Sequence, residues 1–259
     1  MERKRDAALA ASGLSDIVRK VRTRTPARLL VGRTGAAYRT NTQMELREAH
    51  AAAKDAVRAE MDSREAFGEE FVERWKLFEV RTMAGNKDEY LLRPDLGRRV
   101  AGESRKQLQT RCAELCDLQI AIGDGLSVPA VVAQVPSLLP LLIEGARERG
   151  WSVGQPFVIR YCRVGILNEI GEMLHPRVVA LLIGERPGLA TAESLSAYLA
   201  YQPRSSHSDA NRNVISNIHR RGLSPAQAAA HVLNLAERMM EAHTSGCSLA
   251  DGILRIGDR

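Results

Sequence analysis

The spacing of apolar residues changes character near residue 118. Before that point the apolar positions recur three or four apart between charged residues, the rhythm of surface helices. Ser15-Asp16-Ile17-Val18 predicts a capped short helix that stops before Pro26. Leu29-Leu30-Val31 gives way to a Gly32-Arg33-Thr34-Gly35 loop. A second helix starts at Asn41 or Thr42 and runs to about Glu60, with the stripe Leu46, Ala49, Ala53 and Val57. Phe71, Val72 and Trp75 mark a further short helix, and residues 77–82 and 89–92 read as a hairpin about Gly85-Asn86-Lys87-Asp88. Pro94-Asp95-Leu96-Gly97 opens a longer helix with apolar positions Leu96, Val100, Leu108, Cys112 and Leu115; its arginines and Lys106 read as a solvated face.

After residue 118, short unbroken apolar runs alternate with helical stretches. Strands are expected at 118–122, 157–161 and 178–183, with candidates at 196–201 and 214–218. Helices are expected at 128–149, broken or kinked by Pro136 and Pro140, at 168–174, and after Ser224-Pro225-Ala226-Gln227. That last stretch is a capping box with proline at the first helical position, followed by the stripe Val232, Leu235, Ala236, Met239 and Met240. Val178-Val179-Ala180-Leu181-Leu182-Ile183 runs straight into Gly184-Glu185-Arg186-Pro187-Gly188. Such a run suits a central strand covered on both faces, and a helix cap with a surface ion pair is the alternative at this level. The alternation predicts an α/β fold: a Rossmann-like, mostly parallel sheet with helices on both faces, preceded by a helical N-terminal region. Residues 1–105 form that N-terminal helical and basic region and residues 106–259 the Rossmann-like ligand-binding domain.

Charge sharpens this division. The net charge of +6 is concentrated in the first forty residues, where ten Lys/Arg face three acids. A basic arm on a neutral body suits an acidic surface, a membrane or nucleic acid, but Tyr38 is the only aromatic available there for stacking on bases. No apolar run approaches the ~18 residues of a membrane span, and the chain is read as cytoplasmic, with no nucleic-acid or membrane partner. Cys112, Cys116, Cys162 and Cys247 are read as reduced thiols; the four-residue spacing of the first two puts them on one helix face without completing a zinc site. No metal ligands are assigned.

An open α/β sheet binds ligands beyond the carboxyl ends of its strands. Three loops would gather there: Gly123-Asp124-Gly125-Leu126-Ser127, Arg163-Val164-Gly165 and Gly184-Glu185-Arg186-Pro187-Gly188. The first lacks the third glycine of a dinucleotide fingerprint and has no Walker lysine. Ser127 and Ser194 have no histidine implied beside them, so no nucleophile–base pair is visible and no catalytic residue is assigned. Carboxylates, arginines, serines and backbone amides suit a ligand bearing amides, hydroxyls and a phosphate.

Six segments occur in a characteristic order and spacing: Arg93-Pro94-Asp95-Leu96-Gly97-Arg98-Arg99, Gly125-Leu126-Ser127, Arg160-Tyr161-Cys162-Arg163-Val164, Gly184-Glu185-Arg186-Pro187-Gly188-Leu189, Glu193-Ser194-Leu195-Ser196 and Ile215-Ser216-Asn217-Ile218-His219. With them the chain resembles the small (light) subunit of ethanolamine ammonia-lyase from about Ile17 to Met240. The resemblance implies a carbon–nitrogen lyase that uses adenosylcobalamin to convert ethanolamine to acetaldehyde and ammonia by radical chemistry. It implies a large-subunit partner that holds the substrate, while the small chain supplies part of the cobalamin pocket and the basic N-terminal region docks on that partner. By position, Val164, Glu185 and Val214 match the cofactor-binding residues of the family. Val214 stands where enteric relatives are expected to carry cysteine, which leaves it a packing or backbone contact. The chain has no Asp-x-His-x-x-Gly motif, so it is not expected to donate a histidine to cobalt. The family also admits residence in a bacterial microcompartment, through an N-terminal extension ahead of the first helix. A nicotinamide or adenosylmethionine enzyme and a basic nucleic-acid module are the competing readings.

Overall fold

The computed structural model describes residues 14–24, 31 and 33–249. Both the 1–13 stretch, which holds two of the three acids and three of the ten cations of the basic arm, and Leu29-Leu30 lie outside the described residues. Helix α1 (Leu14–Arg24) leads to a small hairpin, β1 (Arg33–Thr34) and β2 (Ala37–Tyr38), where a loop was expected. Gly35 turns it at φ +62°. The amphipathic helix α2 (Thr40–Arg58) follows, then the short helices α3 (Ser63–Phe67) and α4 (Glu69–Arg74).

The expected hairpin at 77–92 forms only its first strand. β3 (Glu79–Arg81) leaves directly for the main sheet, where it pairs with a strand nearly eighty residues later. Residues 89–92 instead belong to helix α5 (Lys87–Leu92), because Asn86 caps it by accepting the Glu89 N–H at 2.9 Å. The long helix expected after Pro94 is interrupted. A 3-10 turn at Leu96–Arg98 gives way to extended backbone, where Val100 bridges to Thr82, and only then does α6 (Gly102–Arg111) begin. Gly97 explains the break: a Cβ there would sit 2.8 Å from the Tyr161 carbonyl oxygen, so the chain turns where two segments nearly touch. Cys112 caps the end of α6 and Cys116 lies beyond it, so the two do not share a helix face.

From residue 118 the strands fall close to where the apolar runs put them: β4 (Leu118–Gly123), β5 (Phe157–Arg160), β6 (Val178–Gly184), β7 (Leu195–Tyr201) and β8 (Asn213–Ile218). Between them run α7 (Val128–Glu148), α8 (Ile166–Leu174) and, after β8, α9 (Pro225–Ala242). The sheet order is β3-β5-β4-β6-β7-β8. It is mixed rather than mostly parallel, since β3–β5, β5–β4 and β4–β6 are parallel and β6–β7 and β7–β8 are antiparallel. The reason is the connection after Gly184. Parallel return needs a crossover of a dozen or more residues, and the ten residues 185–194 contain no helix, so the chain comes back as the next antiparallel strand.

Every residue of β4 and β6 is buried. Alternate side chains serve two cores. Leu118, Ile120, Ile122, Ala180, Leu182, Ala197 and Leu199 pack with α7 and α9, whereas Ala121, Ile159, Val179, Leu181 and Ile183 pack with α8 and α6. This two-sided burial is why both strands are uninterrupted apolar runs. The 21-residue helix α7 passes through Pro136 and Pro140 without breaking. Burying Val131, Val135, Leu138, Leu139, Leu142 and Ile143 completely or nearly so returns about 1.5–3 kcal/mol per side chain, which outweighs the backbone bonds the prolines remove. The same helix is long and apolar enough to cross a bilayer by composition, but its apolar side is the floor of the larger core.

Candidate cofactor face and arginine cleft

The carboxyl ends of β4, β5 and β6 bring the three expected loops together. The Leu126 N–H donates to the Gly184 carbonyl at 3.0 Å, and the Asp124 carboxylate receives the N–H groups of Tyr161 and Cys162 at 2.9 and 2.8 Å. Ser127 is a cap and a tie rather than a nucleophile: its hydroxyl accepts the Ala130 N–H that opens α7 and donates to the Ala192 carbonyl at 2.5 Å. Among the described residues no three His, Cys, Asp or Glu side chains gather as a metal site. Cys112, Cys116 and Cys162 are buried free thiols, and burial pushes Cys112 up to about 12 and Cys116 to about 11, which makes poor nucleophiles of both.

Val164 sits at the end of a tightly held loop. Tyr161 takes a left-handed conformation at φ +60°, an unfavourable one for a bulky residue. Four neighbours hold the loop there. Besides Asp124, the first residue after β4, the Thr82 hydroxyl donates to the Tyr161 carbonyl at 3.0 Å and the Tyr90 hydroxyl to the Cys162 carbonyl at 2.9 Å; the Arg163 N–H donates to the Gly97 carbonyl at 2.8 Å. Lys87, almost fully buried on α5, places its ammonium 3.7 Å from Asp124. Burial depresses the Lys87 ammonium, against the attraction of Asp124. Burial also lifts the Asp124 carboxyl, opposed by Lys87 and the three backbone N–H groups of Cys162, Tyr161 and Gly125.

Glu185 is the first residue after β6, and its carboxylate accepts the Tyr198 hydroxyl at 3.1 Å. Burial and the Glu185 charge push that phenol up to about 12, so it remains a donor. Val214 lies on β8 opposite Tyr198 in the register and is 48% exposed. Cross-strand partners share a face, so Tyr198 and Val214 stand side by side. Val164 and Tyr198 pack against the same core cluster beneath that face. The structure therefore places all three positions read from the sequence on one side of the sheet, with Tyr198 between Glu185 and Val214.

A cleft of about 850 Å³ lies alongside, lined by Arg98, Arg99, Arg105, Gly165, Asn168 and Arg212 among others. Asn168 braces it: its side-chain amide donates to the His207 carbonyl at 2.7 Å, and its oxygen accepts from Arg212 at 3.1 Å. Sequence pattern gave Arg98 and Arg99 as a solvated helix face and passed over Arg212 and Tyr198. Arg98 and Arg99 were legible only once the helix they seemed to decorate was seen to break at Gly97.

The light-chain model of ethanolamine ammonia-lyase (EutC) matches residues 15–250. The chain belongs to the ethanolamine ammonia-lyase small-subunit family. It is similar to proteins named ethanolamine ammonia-lyase small subunit from Clostridium perfringens and Fusobacterium nucleatum, each 42% identical over 230 residues, covering 89% of this chain and 76% of the relative. The protein of that name from Clostridioides difficile is 40% identical over 229 residues, 88% of this chain and 76% of its own length. The match takes in the strand ends, the Val164–Glu185–Val214 face and the arginine cleft alike.

Proposed function

We propose that the chain is the small subunit of an adenosylcobalamin-dependent ethanolamine ammonia-lyase, and that the face carrying Val164, Glu185 and Val214 is its share of a corrinoid pocket completed by the large subunit. One observation supports this most. On one side of the sheet Tyr198 stands beside Val214 and holds the Glu185 carboxylate, Val164 packs on the same core cluster, and an arginine-lined cleft lies alongside; among the described residues no nucleophile–base pair is seen there. A corrin offers a broad apolar face and a rim of amides, and its cobalt–carbon bond supplies the radical when bound.

In this reading Val164 and Val214 give apolar contact to the ring. Glu185, steadied by Tyr198, accepts from rim amides. Arg212, braced by Asp209 and Asn168 and with its Nε unmet among the described residues, lines the cleft beside this face and is the cation offered to the cofactor. The basic N-terminal segment, including Arg33 and Arg39, docks on the large chain. Substrate binding and the elimination belong to that partner.

Coexpression with the large subunit tests the proposal. The expected result is a complex that elutes together at low salt, loosens as salt rises, and releases ammonia from ethanolamine when adenosylcobalamin is added, with neither chain active alone. A small chain that deaminates ethanolamine by itself, or a stable complex inert with the cofactor, contradicts it.

A further inference from the structure

We infer that the cleft between Arg98, Arg212 and the start of α8 is a site for a phosphate-class anion, occupied in the assembled enzyme by the phosphodiester of the cofactor's nucleotide loop. The identity of the occupant rests on the corrinoid reading above; the anion site itself rests on four features of the cleft.

Arg212 is the first. Its side chain is 7% exposed, its terminal nitrogens reach Asp209 and Asn168, and its Nε has no partner. A buried donor left unmet carries a desolvation cost, and Arg212 lines the cleft. Second, Arg98 lies over Gly165, where a Cβ would come within 3.0 Å of its side-chain carbons, and it makes no ion pair among the described residues. It is close enough to Arg212 that the two guanidinium charges oppose each other. Cations held in mutual repulsion, with Arg99 also unpaired among the described residues on the rim, are the arrangement an anion would neutralise.

Third, the backbone N–H groups of Val164 and Gly165 have no acceptor among the described residues, and they stand at the N-terminus of the nine-residue helix α8, where the helix dipole favours negative charge. Fourth, the cleft's carboxylates already have partners. Glu169 holds Arg105, Asp95 holds Arg93, Asp209 holds Arg212 and Glu172 accepts the Ser205 N–H. Three of the four are thus offset by an arginine, while Glu172 keeps its charge at the edge of the cleft.

Ethanolamine is a cation and would be turned away. The phosphodiester is the anionic group of a corrinoid, and the cleft opens where it should: Gly165 adjoins Val164, and Arg212 is two residues ahead of Val214 on the cofactor face.

Titrating the assembled complex with hydroxocobalamin and with cobinamide, which lacks the nucleotide loop, tests this through the corrinoid absorption spectrum. Arg98→Gln is expected to weaken hydroxocobalamin about tenfold, the loss of one charge-assisted hydrogen bond, while cobinamide binding stays within about twofold. Arg99→Gln, on the rim, serves as the variant that leaves the packing of Gly165 untouched and shifts in the same direction by less. Equal losses for both corrinoids, or none, overturn the assignment. If the unaltered complex binds neither corrinoid, the cofactor reading fails, and inorganic phosphate decides the anion site alone: a rise in melting temperature that Arg98→Gln abolishes upholds it, and no rise ends it.

Discussion

Asp124→Ala is expected to destabilise the protein by about 3–5 kcal/mol, the range for breaking a buried ion pair by removing one partner. Asp124 is fully buried, and Lys87 is the cation that faces it. Removal strands the Lys87 ammonium, which has no hydrogen-bond partner of its own, and frees the N–H groups of Tyr161 and Cys162. The left-handed Tyr161 then loses its main restraint, and the loop carrying Val164 loosens. Lys87→Met should cost less, because Asp124 keeps its backbone donors. The double variant should cost less than the sum of the two single ones, since the partners are coupled. Denaturant unfolding of all three variants checks this. A loss under ~1 kcal/mol for Asp124→Ala, or strict additivity, would show that the pair does not hold the loop.

Gly184→Ala carries the second large effect, from shape rather than charge. A Cβ at Gly184 would lie 2.0 Å from the Ser127 carbonyl oxygen and 2.8 Å from that of Asp124. Both are backbone atoms, at the end of β4 and the start of α7, so neither can rotate aside. Overpacking of this kind costs about 1–3 kcal/mol and sometimes more, and the upper end is expected here. Glu185 is the next residue, so the same change should displace its carboxylate from Tyr198, which in the proposed pocket weakens corrinoid binding. Gly188→Ala is the control, because its nearest neighbour would be 3.9 Å away; it should stay within about 0.5 kcal/mol of the parent. Thermal unfolding of the two alanine variants side by side is the measurement, and equal melting temperatures would refute the steric account.

Local patterns made much of the fold legible. The β4 and β6 runs and the α9 capping box could be read because burial on two faces, or a cap, leaves a mark within a few residues. What misled was long-range. Residues 89–92 look like the return strand of a hairpin, but β3 found its partner in β5 and Asn86 was free to cap a helix. Pro136 and Pro140 mark a break by local chemistry, yet the core on the other side of α7 overrides them. The antiparallel turn after Gly184 is marked only by ten residues without helical periodicity, a local signal weaker than the strand–helix rhythm around it.

The site divides in the same way. Val164, Glu185 and Val214 came from a resemblance of motifs, and the structure sets them on one face. Tyr198 could not be singled out, because its role depends on pairing β7 with both β6 and β8. Arg212 likewise is placed in the cleft by Asn168, forty-four residues away in the chain.

The central claim is that this chain contributes half of a corrinoid pocket through Glu185 and its neighbours. Spectral titration of the coexpressed complex with hydroxocobalamin, comparing the unaltered small subunit with Val164→Arg and Glu185→Ala, tests it most directly. The account predicts that both variants assemble with the large subunit normally and bind the corrinoid at least about tenfold more weakly, the equivalent of some 1.4 kcal/mol. Full-strength binding by assembled complexes of both variants would place the pocket elsewhere.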